Sequence, residues 1–297
     1  MALQQCGLNL GRNKLELQPH GTLDFPCSGY SSEYTEDSNY IVPWHWHEEM
    51  ELIYLVSGHM HLQVPGKTYH VQQGEAIFIN SNTLHYAITE VHGEFHSLVF
   101  HSTLITGYDK SVYSRKYIIP LISCAALDCY HITPALHCGQ SIVEGFIQAY
   151  EAISLEPSGY EFIVRENLSR ICLTLYQQNE NEIKKMDTNL NQDSIRIHKM
   201  IDFIHEHSSE NLTLEQIAKS AAIGARECLR CFQREIQISP MQYLIKYRVM
   251  QGAAMLLQAP DLSISDISIQ CGFDSPSNFS LMFKRYFLCT PRNYRKR

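Results

Sequence analysis

The sequence lacks any long uninterrupted apolar run, and its N-terminus lacks the apolar core of a secretory signal peptide. The first absence excludes a bilayer-spanning helix, which needs about 20 apolar residues. The second predicts a cytoplasmic protein. The ten cysteines are scattered without the spacing of a disulfide framework, so we expect free thiols in a reducing compartment.

One pair of cysteines, Cys228 and Cys231, has the spacing of half a zinc finger. No second pair and no two histidines follow at finger spacing, and both cysteines lie in a stretch with helical periodicity next to Phe232. We therefore predict that both side chains are buried thiols rather than zinc ligands.

The chain also lacks the positive net charge typical of DNA-binding proteins, because 31 Asp and Glu outnumber 24 Lys and Arg. The deficit is confined to one part of the chain. Residues 195–297 hold 14 basic against 9 acidic side chains, whereas residues 1–194 hold 10 against 22. The C-terminal part thus has the electrostatic footprint of nucleic-acid binding, and the acidic part argues against DNA contact there.

What the sequence does contain is an internal repeat in its C-terminal part. Features of a first copy recur about fifty residues later. The matching pairs are Ile217-Ala218 with Ile267-Ser268, Ala221-Ala222-Ile223 with Cys271-Gly272-Phe273, and the series Phe232, Pro240, Tyr243 with the series Phe283, Pro291, Tyr294. Each copy fits a short helix, a tight turn and a second helix, so we predict two helix-turn-helix units.

In the second copy, Gly272 supplies the turn, Ser275 is the predicted N-cap and Pro276 is the first helical residue. Apolar residues at spacings of three and four predict a buried stripe of Phe279, Met282, Phe283 and Tyr286. The opposite face is predicted to meet DNA through Ser277, Asn278, Leu281, Lys284 and Arg285. Phosphate contacts are predicted for Lys284, Arg285, Arg292 and the tail Arg295-Lys296-Arg297.

In the first copy, Thr213 is the predicted cap of the first helix, and the second helix runs from Ala225 to Glu235 with Cys228 and Phe232 inward. Its outward residues, predicted to contact DNA, are Arg226, Leu229, Arg230 and Gln233. A long helix from Ser239-Pro240 to Leu257 joins the copies. It would place the two recognition helices in successive major grooves, about 34 Å apart.

A longer motif carries a family resemblance. The run Gly272–Ser280, with Phe283-Lys284, Thr290-Pro291 and Tyr294-Arg295, resembles the signature of the AraC/XylS family of transcription regulators. The resemblance implies a sequence-specific DNA-binding protein, by family habit an activator that works with RNA polymerase. The first copy departs from the family pattern at Gly224, Cys228 and Gln237, where Ser, Leu and Gly are usual.

The N-terminal half follows a different pattern. From Ile41 to Phe100, short apolar strands alternate with turn residues, as is typical of a small β-barrel. This stretch resembles the two motifs of the cupins through the spacings His45-x-His47-x3-Glu51-x6-Gly58 and Gly74-x10-His85. The resemblance implies a pocket lined by the three histidines and the glutamate. We predict that these four side chains contact a small polar effector, such as a sugar or a related metabolite.

A metal site is the alternative for the same four side chains. In metal-binding cupins the corresponding residues surround one ion, and such a set suits Fe, Mn, Zn or Ni. The second motif departs from those cupins at Asn80-Ser81-Asn82, where Pro-x-Gly is usual. We therefore assign no cofactor and keep the metal as the alternative, and we expect His92, His96 and His101 to be ordinary histidines of the barrel or its surface.

The periodicity becomes helical after Gln140. One apolar stripe is Ile142, Phe146, Ala149 and Ile153, and a second is Phe162, Ile163, Leu168, Ile171, Cys172, Leu175 and Tyr176. This helical pair resembles the one that joins two subunits in AraC-type proteins, so we expect a homodimer; the alternative is a pair that packs only on its own barrel. The polar stretch that follows is typical of a linker.

The sequence thus predicts an α+β chain. A cupin-like barrel with an N-terminal arm spans 1–139, a dimerising helical pair 140–178, a linker 179–193 and an all-α double helix-turn-helix domain 194–297. We expect a transcription regulator that responds to a small molecule and is not an enzyme. Two alternatives stay open: a metal-dependent cupin enzyme, a dioxygenase or isomerase, fused to a DNA-binding domain, and a constitutive DNA binder.

Overall fold

The computed structural model of the protein describes residues 3–5, 8–11, 14–34, 41–89, 92–108, 111–124, 126–186, 191–236 and 238–296. The chain divides into two compact units, Met1–Glu16 with Phe25–Thr188, and Leu17–Asp24 with Asn189–Arg297. The described strands all belong to the first unit, and the described elements of the second are helices. The α+β prediction is confirmed, but residues 17–24, which we assigned to the barrel domain, group with the helical unit.

The strands form a six-stranded and a four-stranded sheet. In chain order they are β1 Leu3–Gln5, β2 Cys27–Tyr34, β3 Ile41–His45, β4 Met50–Ser57, β5 His59–Val64, β6 Lys67–Gln72, β7 Ala76–Ile79, β8 His85–Thr89, β9 Gly93–Phe100 and β10 Cys129–Ile132. The larger sheet has the order β1-β2-β9-β4-β7-β10 and the smaller one β3-β8-β5-β6. The short strands predicted between Ile41 and Phe100 are confirmed, and the expected barrel takes the form of these two sheets.

The helices lie mostly after the strands. In chain order they are α1 Thr103–Thr106, α2 Ile119–Ile122, α3 Gly139–Leu155, α4 Tyr160–Gln178, α5 Glu180–Met186, α6 Asn191–Glu206, α7 Leu214–Ser220, α8 Ala225–Glu235, α9 Pro240–Gln258, α10 Ile264–Gln270, α11 Pro276–Phe287 and α12 Pro291–Tyr294. A π-helical turn, Ser114–Ile118, precedes α2.

The larger sheet is buried on both of its faces. One apolar cluster contains Leu55 of the larger sheet and Met60 of the smaller one. A second cluster contains Leu52 and Phe78 of the larger sheet together with Phe146 of α3. Because both faces are covered, β4 and β7 are nearly continuous apolar runs instead of alternating ones.

The predicted helical pair is confirmed as α3 and α4, but two of its predicted core residues are wrong. Phe162 is 77% exposed and Ile163 is 39% exposed. The buried stripe of α4 is centred on Val164 and Leu168. Since each helical residue turns by about 100°, Phe162 points away from that stripe and Ile163 lies at its edge.

The predicted linker is also wrong in its local structure. Ile183 of α5 is buried in the core of the first unit, and α6 already begins at Asn191. The polar composition concealed a short amphipathic helix with one anchor. Residues 187–190 of the predicted linker lie outside the described residues.

The second unit contains the two predicted helix-turn-helix units, α7–α8 and α10–α11, with α9 between them in the chain. The predicted caps are confirmed, because the side chains of Thr213, Ser239 and Ser275 each accept a hydrogen bond from a backbone N–H three residues later. Pro240 and Pro276 occupy first-turn positions, where a missing N–H costs nothing. Gly224 is the N-cap residue of α8 and provides no side-chain cap.

Candidate functional site

The three histidines and the glutamate of the cupin-like motifs converge on one point. His45 ends β3 and pairs in register with His85, the first residue of β8. His47 lies two residues after the end of β3, and Glu51 is the second residue of β4. All four side chains are buried. One ligand atom from each lies within 4.8 Å of the ligand atoms of the others, so the predicted convergence is present in the fold.

Backbone carbonyls orient the three imidazoles. Nδ1 of His45 lies 2.9 Å from the carbonyl oxygen of Pro43, Nδ1 of His47 lies 3.0 Å from that of Glu49, and Nδ1 of His85 lies 2.8 Å from that of Thr83. A carbonyl oxygen only accepts, so each Nδ1 carries a proton and donates it. Every Nε2 is therefore turned towards the centre of the cluster. In metal sites, too, the other ring nitrogen of each histidine usually donates a hydrogen bond that fixes the ring orientation.

Glu51 is the anionic centre of the cluster. Its Oε2 lies 3.4 Å from Nε2 of His47 and 3.4 Å from Nε2 of His85. Burial opposes the charge of Glu51, but its contacts with the two histidines outweigh burial and hold the pKa of the carboxyl well below its usual range.

The pKa values of His45 and His47 are shifted in opposite directions. Burial, reinforced by the charges of His85 and His47, lowers the pKa of His45 to about 2. Burial also opposes protonation of His47, but the hydrogen bond and the charge of Glu51 outweigh it and raise the pKa of His47 to about 9. One buried ring is thus held neutral while its neighbour shares a proton with a carboxylate.

This donor set fits a divalent transition metal. The Nε2 atom of His85 is buried without a well-aligned hydrogen bond, which is costly unless something else occupies its lone pair. Three imidazole nitrogens and one carboxylate are ligands that Fe, Mn, Zn and Ni accept. Bonds of about 2.0–2.2 Å put two ligand atoms of one ion roughly 3.0–3.5 Å apart, and the 3.4 Å contacts of Glu51 fall in that range.

The departure from the metal-cupin pattern at residues 80–82 does not disturb the turn. Asn82 has a φ of 60°, the left-handed conformation that glycine usually supplies and that Asn tolerates. Asn80 is buried, and its amide donates to the carbonyl oxygens of Leu121 and Leu127 at 3.0 and 2.9 Å. Asn80 therefore holds the neighbouring loop that contains Leu121 and Leu127. The turn at residues 80–82 still places His85 in the cluster.

A fifth group, Glu16, lies beside the cluster and was missed from the sequence. Its Oε2 lies 3.8 Å from Nε2 of His45, and both side chains are buried. Glu16 belongs to no sequence motif, and the backbone of residues 14–16 is joined to Trp46 beside the site by hydrogen bonds and a short parallel bridge. Nothing in the sequence pattern signals this approach.

His92, His96 and His101 lie outside the cluster formed by His45, His47, Glu51 and His85, as predicted. Nε2 of His96 lies 2.5 Å from a carboxylate oxygen of Glu94, and the ring stacks on Tyr150. The imidazole of His101 contacts the hydroxyl of Thr103 at 2.8 Å.

The second candidate site is the surface of the two recognition helices, α8 and α11. All nine residues predicted to contact DNA are exposed: Arg226, Leu229, Arg230, Gln233, Ser277, Asn278, Leu281, Lys284 and Arg285. The opposite faces are buried as predicted through Cys228 and Phe232 in α8 and through Phe279 and Phe283 in α11. Met282 is only half-buried. The side chains of Cys228 and Cys231 are both buried, as predicted.

Two basic residues of this surface differ from expectation. Arg234, which was not among the predicted contacts, extends the row of Arg226 and Arg230 at helical spacing, and Glu227 binds both Arg230 at 3.7 Å and Arg234 at 3.0 Å. Arg295, a predicted phosphate partner, instead donates to the carbonyl oxygen of Leu262 at 2.8 Å. It therefore joins α12 to the loop before α10, while Arg297 lies outside the described residues.

The two helix-turn-helix units are tied to each other through the loop between α6 and α7. Arg248 of α9 donates to the carbonyl oxygens of Ser208 and Glu210 in that loop, each at 2.6 Å. A Cβ on Gly272 would lie 2.8 Å from the carbonyl oxygens of both Ser208 and Ser209, so the turn of the second unit packs directly on it. The sequence predicted each unit but not this contact.

The two domains each match a family. Residues 217–297 match the helix-turn-helix domain family, and residues 36–101 match the cupin domain family. Among the helices of the described residues, none has the length and apolar character needed to cross a membrane.

Known regulators resemble the chain. It is 26% identical over 293 residues to the uncharacterized HTH-type transcriptional regulator YdeC of Bacillus subtilis, with 97% of each chain covered. It is 27% identical over 156 residues to the HTH-type transcriptional activator RhaS of Klebsiella pneumoniae, which covers 52% of this chain and 53% of RhaS. Its fold resembles a crystal structure of ToxT from Vibrio cholerae, with a TM-score of 0.52, 12% identity, and 91% and 97% of the two chains covered.

The two sites and these matches define a DNA-binding transcription regulator that pairs a cupin domain with a helix-turn-helix domain. Within that class the chain resembles the AraC/XylS family, as the motif Gly272–Ser280 implied.

Proposed function

We propose that this regulator senses a small polar molecule through a divalent metal held in the cupin domain. The observation that carries the proposal is the convergence of three imidazole Nε2 atoms and the Glu51 carboxylate, with each Nδ1 bonded to a backbone carbonyl. His45, His47, Glu51 and His85 would hold the ion. A bound ion would act as a Lewis acid with positions open to oxygen-bearing ligands such as a sugar or a related metabolite.

This proposal joins the two functions that the sequence left as alternatives. The four side chains and Glu16 are buried polar groups that lie close together at this site. A pocket with a few convergent polar groups suits a small molecule. Effector binding would change regulation only by favouring one of two states of the regulator, so its affinity for those states must differ.

A metal-dependent cupin enzyme fused to a DNA-binding domain is the second candidate, because the same donor set serves metal-dependent chemistry. The relatives are named as transcription regulators, which favours a sensing role, and we propose that the chain is not an enzyme. Turnover of a bound metabolite by the metal-loaded protein would favour the enzyme instead.

The metal content of the protein tests this proposal. The full chain, purified without chelator, is analysed for Fe, Mn, Zn and Ni beside a His85→Ala variant and a control, His92→Ala, at an exposed position. We expect about one ion per chain in the wild type and the control, and loss of the ion in His85→Ala. If the wild-type protein binds none of these ions after incubation with each of them, the proposed metal site is wrong.

We further propose that α8 and α11 read base edges in the major groove. Arginine pairs with guanine and asparagine with adenine, so Arg226, Arg230 and Asn278 are the candidate readers. Lys284, Arg285 and Arg292 are candidate phosphate contacts, which add affinity without sequence information.

We also propose a homodimer formed through α3 and α4, with activation through RNA polymerase as the output. Phe162 and Leu173 lie on one side of α4, three helical turns apart, and both are exposed. Exposed apolar side chains at this spacing suit a second copy of the same helix around a twofold axis.

A further inference from the structure

The backbone of residues 14–16 is fastened to the end of β3. The N–H of Glu16 donates to the carbonyl oxygen of Trp46 at 2.9 Å, and the N–H of Trp46 donates to that of Lys14 at 3.0 Å. Leu15 and Trp46 are paired as a short parallel bridge. Trp46 lies between the two histidines of the first motif, so this bridge brings the N-terminal segment to the cluster.

The side chain of Glu16 meets His45 at the atom that faces the cluster. Its Oε2 lies 3.8 Å from Nε2 of His45. Because the ring proton of His45 is used on Nδ1, towards Pro43, Nε2 presents a lone pair to a carboxylate oxygen. A cation that binds both of these buried acceptor atoms would lie between them.

We propose that Glu16 is a fifth ligand of the cupin site, carried by the N-terminal segment, that binds the same ion as His45. The inference rests on the proposed metal. Two ligand atoms of one ion are roughly 3.0–3.5 Å apart, and the 3.8 Å separation of Oε2 of Glu16 from Nε2 of His45 is close to that range.

Charge balance supports this role. A divalent ion with three neutral imidazoles and Glu51 alone leaves one positive charge in a buried site, and a buried uncompensated charge is costly. The carboxylate of Glu16 would neutralise it. Glu49 is also buried, but its Oε2 lies 3.9 Å from Nδ1 of His47, on the side of the ring that faces away from the cluster.

An ion bound in this way would tie residues 14–16 to β3. The segment is also held there by two hydrogen bonds with Trp46, by the packing of Leu15 and by Lys14, whose Nζ lies 5.8 Å from the ring centre of Trp44. Ion binding would then make the N-terminal segment more ordered. Slower hydrogen exchange of the Glu16 and Trp46 amides would report this ordering.

The test uses the full chain, stripped with a chelator and titrated with Zn²⁺ or Co²⁺. The variants are Glu16→Gln, which removes the charge at equal size, Glu16→Asp, which keeps the charge, and Glu33→Gln, an exposed control in the first unit. Ion affinity is measured by competition with a coloured chelator, and amide exchange is measured with and without the ion. Thermal melts of the ion-free variants verify folding.

We expect Glu16→Gln to weaken ion binding by about 10-fold or more and to abolish the ion-dependent protection of residues 14–16 and Trp46. Glu16→Asp should retain part of both effects, and Glu33→Gln should match the wild type. Equal affinity and equal protection in Glu16→Gln would overturn the role of Glu16 while leaving the four-residue site intact. Failure of the wild type to bind any ion would overturn the metal site and this inference with it.

Discussion

Ala222 and Gly272 occupy the same position in the two helix-turn-helix units, and both have left-handed backbones, with φ of 55° and 80°. A non-glycine residue in that region costs about 1–2 kcal/mol. At Gly272 a Cβ would also collide with two carbonyl oxygens of the α6–α7 loop. The turn position therefore tolerates a side chain in the first unit but requires glycine in the second.

Gly272→Ala should accordingly lower the free energy of unfolding by about 2 kcal/mol or more, since backbone strain and steric overlap add. Ala222→Gly is the matched control and should change it by less than about 1 kcal/mol, because relief of strain is offset by the greater freedom of the unfolded chain. Urea unfolding followed by circular dichroism measures both. Equal effects would show that the two turns are equivalent after all.

Arg230→Ala should weaken binding to a selected operator by about 1–3 kcal/mol and relax the preference at one base pair. Arg230 is exposed on α8, where Glu227 lies 3.7 Å from its guanidinium and helps to orient it. A competition titration against operator and scrambled DNA measures the change. Arg170→Ala, an exposed arginine of α4, is the control, and unchanged binding by Arg230→Ala would remove this side chain from base recognition.

Lys284→Ala should weaken binding to every DNA sequence by a similar factor, because a phosphate contact carries no base information. The slope of log affinity against log salt should become shallower by about one. Affinities measured at several salt concentrations on operator and scrambled DNA provide the value. A changed base preference with an unchanged slope would instead make Lys284 a base reader.

A metabolite that binds the cupin site should raise the melting temperature of the wild type, by mass action on the folded state. At a hundredfold excess over Kd the stabilisation is about 2.7 kcal/mol, which corresponds to a shift of several degrees. His47→Ala should remove the shift, whereas His92→Ala should keep it. A metabolite whose shift survives His47→Ala unchanged binds elsewhere in the protein.

Phe162→Asp should convert the proposed dimer into a monomer, because a charge would replace an exposed apolar side chain of the proposed contact. An interface residue that carries much of the binding energy contributes about 2 kcal/mol or more, so dimer dissociation should change by at least about 30-fold. Sedimentation equilibrium measures the association. Tyr108→Asp, another exposed aromatic of the first unit, is the control; an unchanged dimer in Phe162→Asp would leave α4 packed only on its own domain.

Errors in the sequence-based predictions came from particular residues. Phe162 and Ile163 were apolar and near the right spacing, but the centre of the buried stripe depends on where α3 lies and not on α4 alone. Ile183 was one apolar residue in a polar stretch, and only its place in the core made the stretch helical. Arg295 was basic like its neighbours, yet the carbonyl of Leu262 was close enough to bind it.

The sequence by itself determined the local features of this protein. The caps at Thr213, Ser239 and Ser275, the buried stripes of the recognition helices and the repeat of the helix-turn-helix units depend on residues within a few turns of each other. Periodicity and capping chemistry are short-range, so they can be read directly from residue spacing.

Only the tertiary structure decided the contacts between distant segments. Strand register set His45 beside His85, and the pairing of residues 14–16 with Trp46 brought Glu16 to His45. The close approach of Gly272 to the α6–α7 loop arose in the same way. Such contacts form because each segment buries apolar surface against another, and the partner of a buried face is not encoded in the spacing of its own residues.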